Sequence, residues 1–344
     1  MKTYIIAEVG PNHNGDLNIA MQYIDELAKI KCNAVKFQHG NPKNIYSNQS
    51  IFPAYQNNLK KKYKSPIIAA KKRLLKNEDH IKLYKNCIKN KIDYMCSAFD
   101  LSSIIFLNEN TNMSYFKIPS GEILSLDILD YIRKFDKKII LSTGMATKDE
   151  INFSINYLNK NFKKDITLLH CISSYPTNNK DINLRQIEEI KQRYNLKVGL
   201  SDHTITTFIP AHSIYLGACI IEKHVTFNKH EFGPDHKTSL EIDEFEKMIK
   251  LVREAEIIYG KSKRKFNKSE ANVRETSRKS ITLKKDVKKN EIITMSKITF
   301  KRPGNGISPL DIDKIINRKL KKNVLKNNQF CLLYTSPSPR DKRQ

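Results

Sequence analysis

Residues 4–16 read YIIAEVGPNHNGD. The run Tyr4–Val9 is short and mostly apolar, and after it the chain turns polar in a loop stiffened by Gly10, Pro11 and Gly15. An amphipathic stretch, Leu17–Ile30, follows with helical spacing. Strand, polar exit loop and helix make one β/α unit, and the pattern recurs. Further short runs rich in β-branched residues lie at Ala34–Gln38, Tyr94–Phe99, Tyr115–Pro119, Lys138–Ser142, Thr167–Ser173, Lys197–Ser201 and Cys219–Val225. Helical segments such as Glu78–Lys89, Leu126–Phe135, Lys148–Leu158, Leu184–Tyr194, Ile209–Leu216 and Glu241–Tyr259 separate or follow them. Eight such units predict an α/β fold, a TIM (β/α)8 barrel over residues 1–260, with a doubly wound sheet as the alternative. Polar residues sit at the C-terminal end of nearly every strand, where a barrel carries its active face.

Among the 344 residues, 61 lysines and arginines against 36 aspartates and glutamates give a net charge of +25. The excess is spread along helix faces (Lys60, Lys61, Lys62, Lys71, Lys72, Lys76) and no zinc-finger, RRM or basic-zipper pattern accompanies it, so a nucleic-acid partner is not expected. No apolar stretch approaches the ~20 residues of a membrane helix, and the start turns polar too early for a signal peptide. A cytoplasmic protein with no membrane partner is expected. The cysteines, Cys32, Cys87, Cys96, Cys171, Cys219 and Cys331, form no CxxC pair, which argues against a disulfide framework or zinc site. Cys96, Cys171 and Cys219 lie in apolar runs and read as small core residues.

The basic stretch Gly260–Asn272 marks a linker, assigned to residues 261–276. Residues 277–330 form a second, small unit with β-like pieces at Ser280–Leu283, Ile292–Thr294 and Ile298–Lys301, a turn at Arg302–Gly306 and a short helix from Pro309 to Ile316. The end, CLLYTSPSPRDKRQ (331–344), breaks this pattern and reads as a non-native tail, with a native Ser/Pro tail as the alternative.

Chemistry-bearing residues collect at the predicted strand exits. The first loop offers Glu8, Asn12, His13 and Asn14; the second strand ends VKFQ, with Lys36 and Gln38 on one face because side chains alternate. The fourth strand ends FKIPSGE, placing Lys117, Ser120 and Glu122, and the fifth ends with Ser142 and Thr143. Two lysines with hydroxyls and glycine amides on one face suit a phosphate plus a carboxylate. GLSDHT (199–204) and EKHVTF (222–227) put His203 and His224 on adjacent strands, within reach of one divalent metal, with Asp202 and Glu222 available to orient rings or take protons.

AEVGPNHNGD, VKFQ, KIPSGE, LSTGM, HCISSYPT, GLSDHT, EKHVTF with GPDH, and KRPGNGISP occur in the order and spacing of the sialic acid synthase family, which this chain resembles over residues 3–329. The resemblance implies a TIM barrel followed by an antifreeze-like (SAF) domain, and a domain-swapped homodimer. The implied activity is condensation of phosphoenolpyruvate with an amino-hexose: N-acetylmannosamine, or a 6-deoxy diacetamido sugar leading to legionaminic or pseudaminic acid. It implies a divalent metal, manganese first, with magnesium or cobalt as alternatives, on His203 and His224. Phosphoenolpyruvate would meet Lys36, Lys117, Ser120, Ser142 and Ser201. The sugar would meet Gln38, Glu122, Tyr175, Asp235 and Arg302, with Glu8 and Asp202 near the reacting centre and Glu122 or Glu8 moving protons. Rivals are a phosphoenolpyruvate aldolase of the DAHP or KDO8P synthase type, against which the SAF unit speaks, and a non-catalytic carbohydrate-binding protein.

Overall fold

The computed structural model describes residues 2–160, 163–260, 262–263 and 265–329. It divides into two compact units at Gly260/Lys261. The expected barrel is present. Strands β1 (Tyr4–Gly10), β2 (Ala34–His39), β3 (Asp93–Ala98), β4 (Tyr115–Ile118), β5 (Lys138–Ser142), β6 (Ile166–Cys171), β7 (Lys197–Asp202) and β8 (Ala218–Thr226) are parallel, and β1 pairs with β8 to close the sheet. A two-residue strand, β9 (Leu240–Glu241), adds to the end of β8. The strands read as near-continuous apolar runs because both faces are covered.

Helices stop and start where local chemistry dictates. The Asp16 carboxylate caps Leu17–Lys29 by accepting from the Asn18 and Ile19 amides, and Thr147 with Glu150 forms a capping box on Lys148–Leu158. A helix absent from the expectations, Leu101–Asn110, completes the β3–β4 crossover. Its mixed faces carry little helical periodicity. The β2–β3 connection is longer than the others and holds short helices at Pro42–Ile45, Asn57–Lys62 and Pro66–Lys71 before the regular helix Asn77–Asn90.

Inside the barrel, side-chain alternation builds layers. Ile6, Ala34, Met95, Ile140, Leu169 and Ile220 pack as one apolar layer. Two residues further along the same strands stand Glu8, Lys36, Ser97, Ser142, Cys171 and Glu222, so the interior turns from apolar to charged within one step of the pleat. The larger core lies between strands and helices.

In the second unit β10 (Ser280–Leu283) pairs antiparallel with β11 (Ile298–Lys301) over a small core that includes Ile281, Leu283, Ile298, Ile315 and Leu320. The expected Ile292–Thr294 strand is reduced to a single bridge between Ile292 and Lys319, and the expected helix is a 3-10 segment, Pro309–Lys314. Part of the assigned linker is helical, at Ala271–Ser277, a segment whose exposed face gives no apolar stripe to read. The assigned tail, 331–344, lies outside the described residues, as does Cys331.

Candidate active site

At the C-terminal mouth of the barrel lies a cavity of about 790 Å³. Its floor is the charged layer. Lys36 Nζ lies 3.1 Å from Glu8 and 3.2 Å from Glu222, and donates to Ser97 Oγ at 3.1 Å. Lys117 Nζ lies 3.7 Å from Glu222 and donates to Ser142 Oγ at 2.8 Å, while Ser201 Oγ donates to Glu222 at 3.1 Å. All four charged groups are buried. Burial works against the Glu222 carboxylate, yet Lys117 and Lys36 outweigh it and hold its pKa below the ordinary value. Burial likewise opposes charge on Lys36, and Glu222 and Glu8 more than offset it. Glu8 is pushed up, by burial and by Glu222, and Lys117 down, by burial and the Lys36 charge. Two cations and two carboxylates thus face one another in this layer.

Above this layer Gln38 Nε2 donates to Glu8 at 2.7 Å. The His203 and His224 rings stand 5.4 Å apart by centroid, and the Tyr175 ring lies 4.2 Å from His203 and edge-on to His224. His203 Nδ1 donates to the Ile172 carbonyl at 2.8 Å; burial opposes a charge on this ring, but Cys171 and that carbonyl outweigh it and raise its pKa. Buried His224 Nδ1 has no hydrogen-bond partner and lies 3.8 Å from Asp235. Burial and the neighbouring His203 keep His224 neutral, the form a metal ligand requires. Among the described residues no group of three or more His, Cys, Asp or Glu side chains gathers around one point. The two imidazoles, one with its Nδ1 unpartnered, are the nitrogen donors a divalent ion would find here.

The structure brings Glu8, Lys36, Gln38, Lys117, Ser120, Ser142, Tyr175, Ser201, Asp235, His203 and His224 to this one cavity. Two expected residues of the barrel unit are elsewhere. Asp202 faces the opposite side of β7 from Ser201. Fully buried, it accepts from Lys223 Nζ at 2.6 Å and from Thr204, an ion pair behind the strand, and it does not line the cavity. The same alternation that aims Ser201 and Glu222 inward aims Asp202 and Lys223 outward. Glu122 lies past the strand on the 3-10 turn Ser120–Glu122 and accepts from the Ser125 hydroxyl, lining a separate cavity of about 340 Å³ with Asp100 and Asp127. Arg302 is exposed in the second unit.

Sequence inspection missed three contributors. Cys171, assigned to the core, is buried in the cavity wall, 3.7 Å from Ser120 Oγ and 3.9 Å from His203 Nδ1. Counting two residues from Leu169 along β6 would have found it. Tyr55 stacks on Tyr175 at 4.7 Å, and Arg73 also lines the cavity. Both belong to the β2–β3 connection, where no periodicity points inward.

A family model described as the NeuB family matches residues 23–264, and one described as the SAF domain matches 278–328. The N,N'-diacetyllegionaminic acid synthase of Campylobacter jejuni subsp. jejuni is 41% identical over 94% of this chain and 97% of its own. The pseudaminic acid synthase of Helicobacter pylori is 30% identical over 92% of this chain and 93% of its own. Among solved structures, the N-acetylneuraminic acid (sialic acid) synthetase of Leptospira borgpetersenii serovar Hardjo-bovis, crystallised with citrate, superposes with a TM-score of 0.71. The likeness there is 32% identity, covering 79% of this chain and 90% of that one.

Proposed function

The chain belongs to the NeuB family, and from that premise we propose that it is a nonulosonic acid synthase condensing phosphoenolpyruvate with a 2,4-diacetamido-2,4,6-trideoxyhexose and releasing phosphate. The observation that carries this is the buried quartet Lys36, Glu8, Glu222 and Lys117 beneath two imidazoles, together with the likeness to a diacetyllegionaminic acid synthase over nearly the whole chain. Identity of 41% to a diacetyllegionaminic acid synthase against 30% to a pseudaminic acid synthase supports reading the legionaminic-type precursor ahead of its pseudaminic counterpart.

Lys36 and Lys117 hold the anion of phosphoenolpyruvate, with the hydroxyls of Ser120, Ser142 and Ser201 beside them. Gln38, Tyr175 and Asp235 hold the sugar in its open form. His203 and His224 would hold a divalent ion, manganese ahead of magnesium or cobalt, whose chemistry there is to polarise the acceptor's aldehyde. C3 of phosphoenolpyruvate bonds to the aldehyde carbon while the carbonyl π pair moves to oxygen, which takes up a proton, and water then adds at the cationic C2. The C–O bond breaks, and phosphate departs with the bond's electrons. Glu8, inside the cavity where Glu122 is not, takes the proton from the attacking water. Arg302 reaches the sugar from a second copy of the chain in a domain-swapped homodimer. A cytoplasmic setting suits the free Cys32, Cys87, Cys96, Cys171 and Cys219, and among the described residues no helix is long and apolar enough to cross a membrane.

Phosphate release from phosphoenolpyruvate, measured with the two diacetamido precursors, N-acetylmannosamine, and four- and five-carbon aldose phosphates, tests the assignment. Turnover is expected with the amino sugars and fastest with the legionaminic-type precursor. Turnover confined to the aldose phosphates would place the enzyme with the DAHP or KDO8P synthases instead.

A further inference from the structure

Arg73 stands at the cavity wall, on the stretch between the helix Pro66–Lys71 and the helix Asn77–Asn90. Its Nε and Nη1 are buried and have no hydrogen-bond partner among the described residues. Dry, unpaired donors of a charged group are costly, and a cavity that keeps them is suited to a ligand that supplies the acceptor. The residue is not loosely hung. Gly15, with φ +82°, lies so close that a Cβ there would sit 2.8 Å from the Lys72 carbonyl oxygen and 3.5 Å from Arg73 Cα. That contact clamps the Arg73 backbone onto the loop that follows β1.

The groups acting on the Arg73 charge are Asp235, Tyr46, Tyr63 and Tyr55. Asp235, Tyr46 and Tyr55 line the same cavity, with Tyr55 stacked on Tyr175, and none of the four belongs to the lysine–glutamate quartet. One guanidinium in a cavity wall that also carries the buried Asp235 is a poor phosphate site, because a phosphate there would have a single cation to balance it. It suits a neutral acceptor of hydrogen bonds, and an amide carbonyl is a strong one.

We propose that Arg73 is a specificity-determining residue, donating to the carbonyl of the acceptor sugar's second N-acyl group, the one N-acetylmannosamine lacks. The assignment rests on the diacetamido reading above. Its test is the ratio of kcat/KM for the diacetamido sugar to that for N-acetylmannosamine, in wild type, Arg73→Leu and the more polar Arg73→Gln, each checked for folding by thermal melting and for phosphoenolpyruvate binding by calorimetry. The ratio should fall roughly 10- to 100-fold in Arg73→Leu, chiefly through the KM of the diacetamido sugar, and less in Arg73→Gln. An unchanged ratio in a folded variant, or a parallel loss with both sugars, would overturn the assignment. Lost phosphoenolpyruvate binding would overturn it too, by moving Arg73 to the other substrate. Wild-type enzyme that releases no phosphate with either sugar would overturn the functional reading first, whereas normal wild-type turnover with an unmoved ratio would overturn the role of Arg73 alone.

Discussion

Alternation within a strand decides the fate of individual side chains here. Ser201, Asp202 and His203 are consecutive, yet Ser201 and His203 face the cavity and Asp202 is locked to Lys223 behind the strand. Asp202→Asn should therefore act on stability. Removing one member of a fully buried ion pair costs about 3–5 kcal/mol, which denaturant unfolding will register, and a variant as stable as wild type would show the pair to be dispensable. The two glutamates divide similarly. Glu8→Gln should lower kcat by two or more orders of magnitude with phosphoenolpyruvate binding retained, and Glu122→Gln should do much less, since its carboxylate faces the smaller cavity. Steady-state kinetics on both separate the roles. For the lysines, Lys36→Ala and Lys117→Ala should raise the KM for phosphoenolpyruvate far more than that for the sugar, because each supplies a point charge to an anion.

Elements meet where their backbones come close. At Gly199 in β7 an added Cβ would overlap the Ile220 carbonyl of β8, beside the irregular pairing between Val198 and Leu200. Gly199→Ala should cost about 1–3 kcal/mol by overpacking, read as a lowered melting temperature. The loops after β1 and β8 are latched together by Asn12, which donates to the Val225 carbonyl and Ser239, and by Asn14 beside His236. Burial holds His13 and His236, one in each loop, at a pKa of about 4 against an ordinary 6.5. Between those values the unfolded chain binds more protons than the folded one. Stability is complete above pH 6.5 and falls on acidification, by up to about 1.4 kcal/mol per pH unit for each histidine. The urea midpoint should drop between pH 7 and pH 5, and His13→Asn should flatten that dependence; an equal slope in wild type and variant would assign acid lability elsewhere.

At the scale of the whole molecule, each unit has its own apolar core, and the second is small enough to gain by burying a face against a partner. If Arg302 serves the barrel of another copy, Arg302→Ala should raise the sugar's KM with little change for phosphoenolpyruvate. Mixing it with a His203→Ala, His224→Ala double variant should then restore part of the activity, since each heterodimer joins intact histidines to an intact partner arginine. Verified heterodimers without activity would assign Arg302 to its own chain or to no catalytic role. Exhaustive chelation should abolish turnover, and manganese, cobalt or magnesium should restore it to different degrees.

Strand identity was legible in the residues alone where a strand buried on both faces demands an unbroken apolar run, as at Lys138–Ser142 for β5; Ser280–Leu283 and Ile298–Lys301 also coincide with β10 and β11, although β11 is largely exposed. The charged layer was legible for a related reason, since Lys36, Lys117, Ser142, Ser201 and His224 interrupt or terminate those runs. Only the tertiary structure could say which way a residue at the very end of a strand faces, for there one more or one fewer step of the pleat reverses its direction. Once Ser201 faces the cavity, alternation sends Asp202 into an ion pair behind β7, and the turn beyond β4 carries Glu122 into a neighbouring cavity. The β2–β3 connection, free of any period, delivered Arg73 and Tyr55 to the site through long-range packing, a property of the closed barrel that no local pattern of residues encodes.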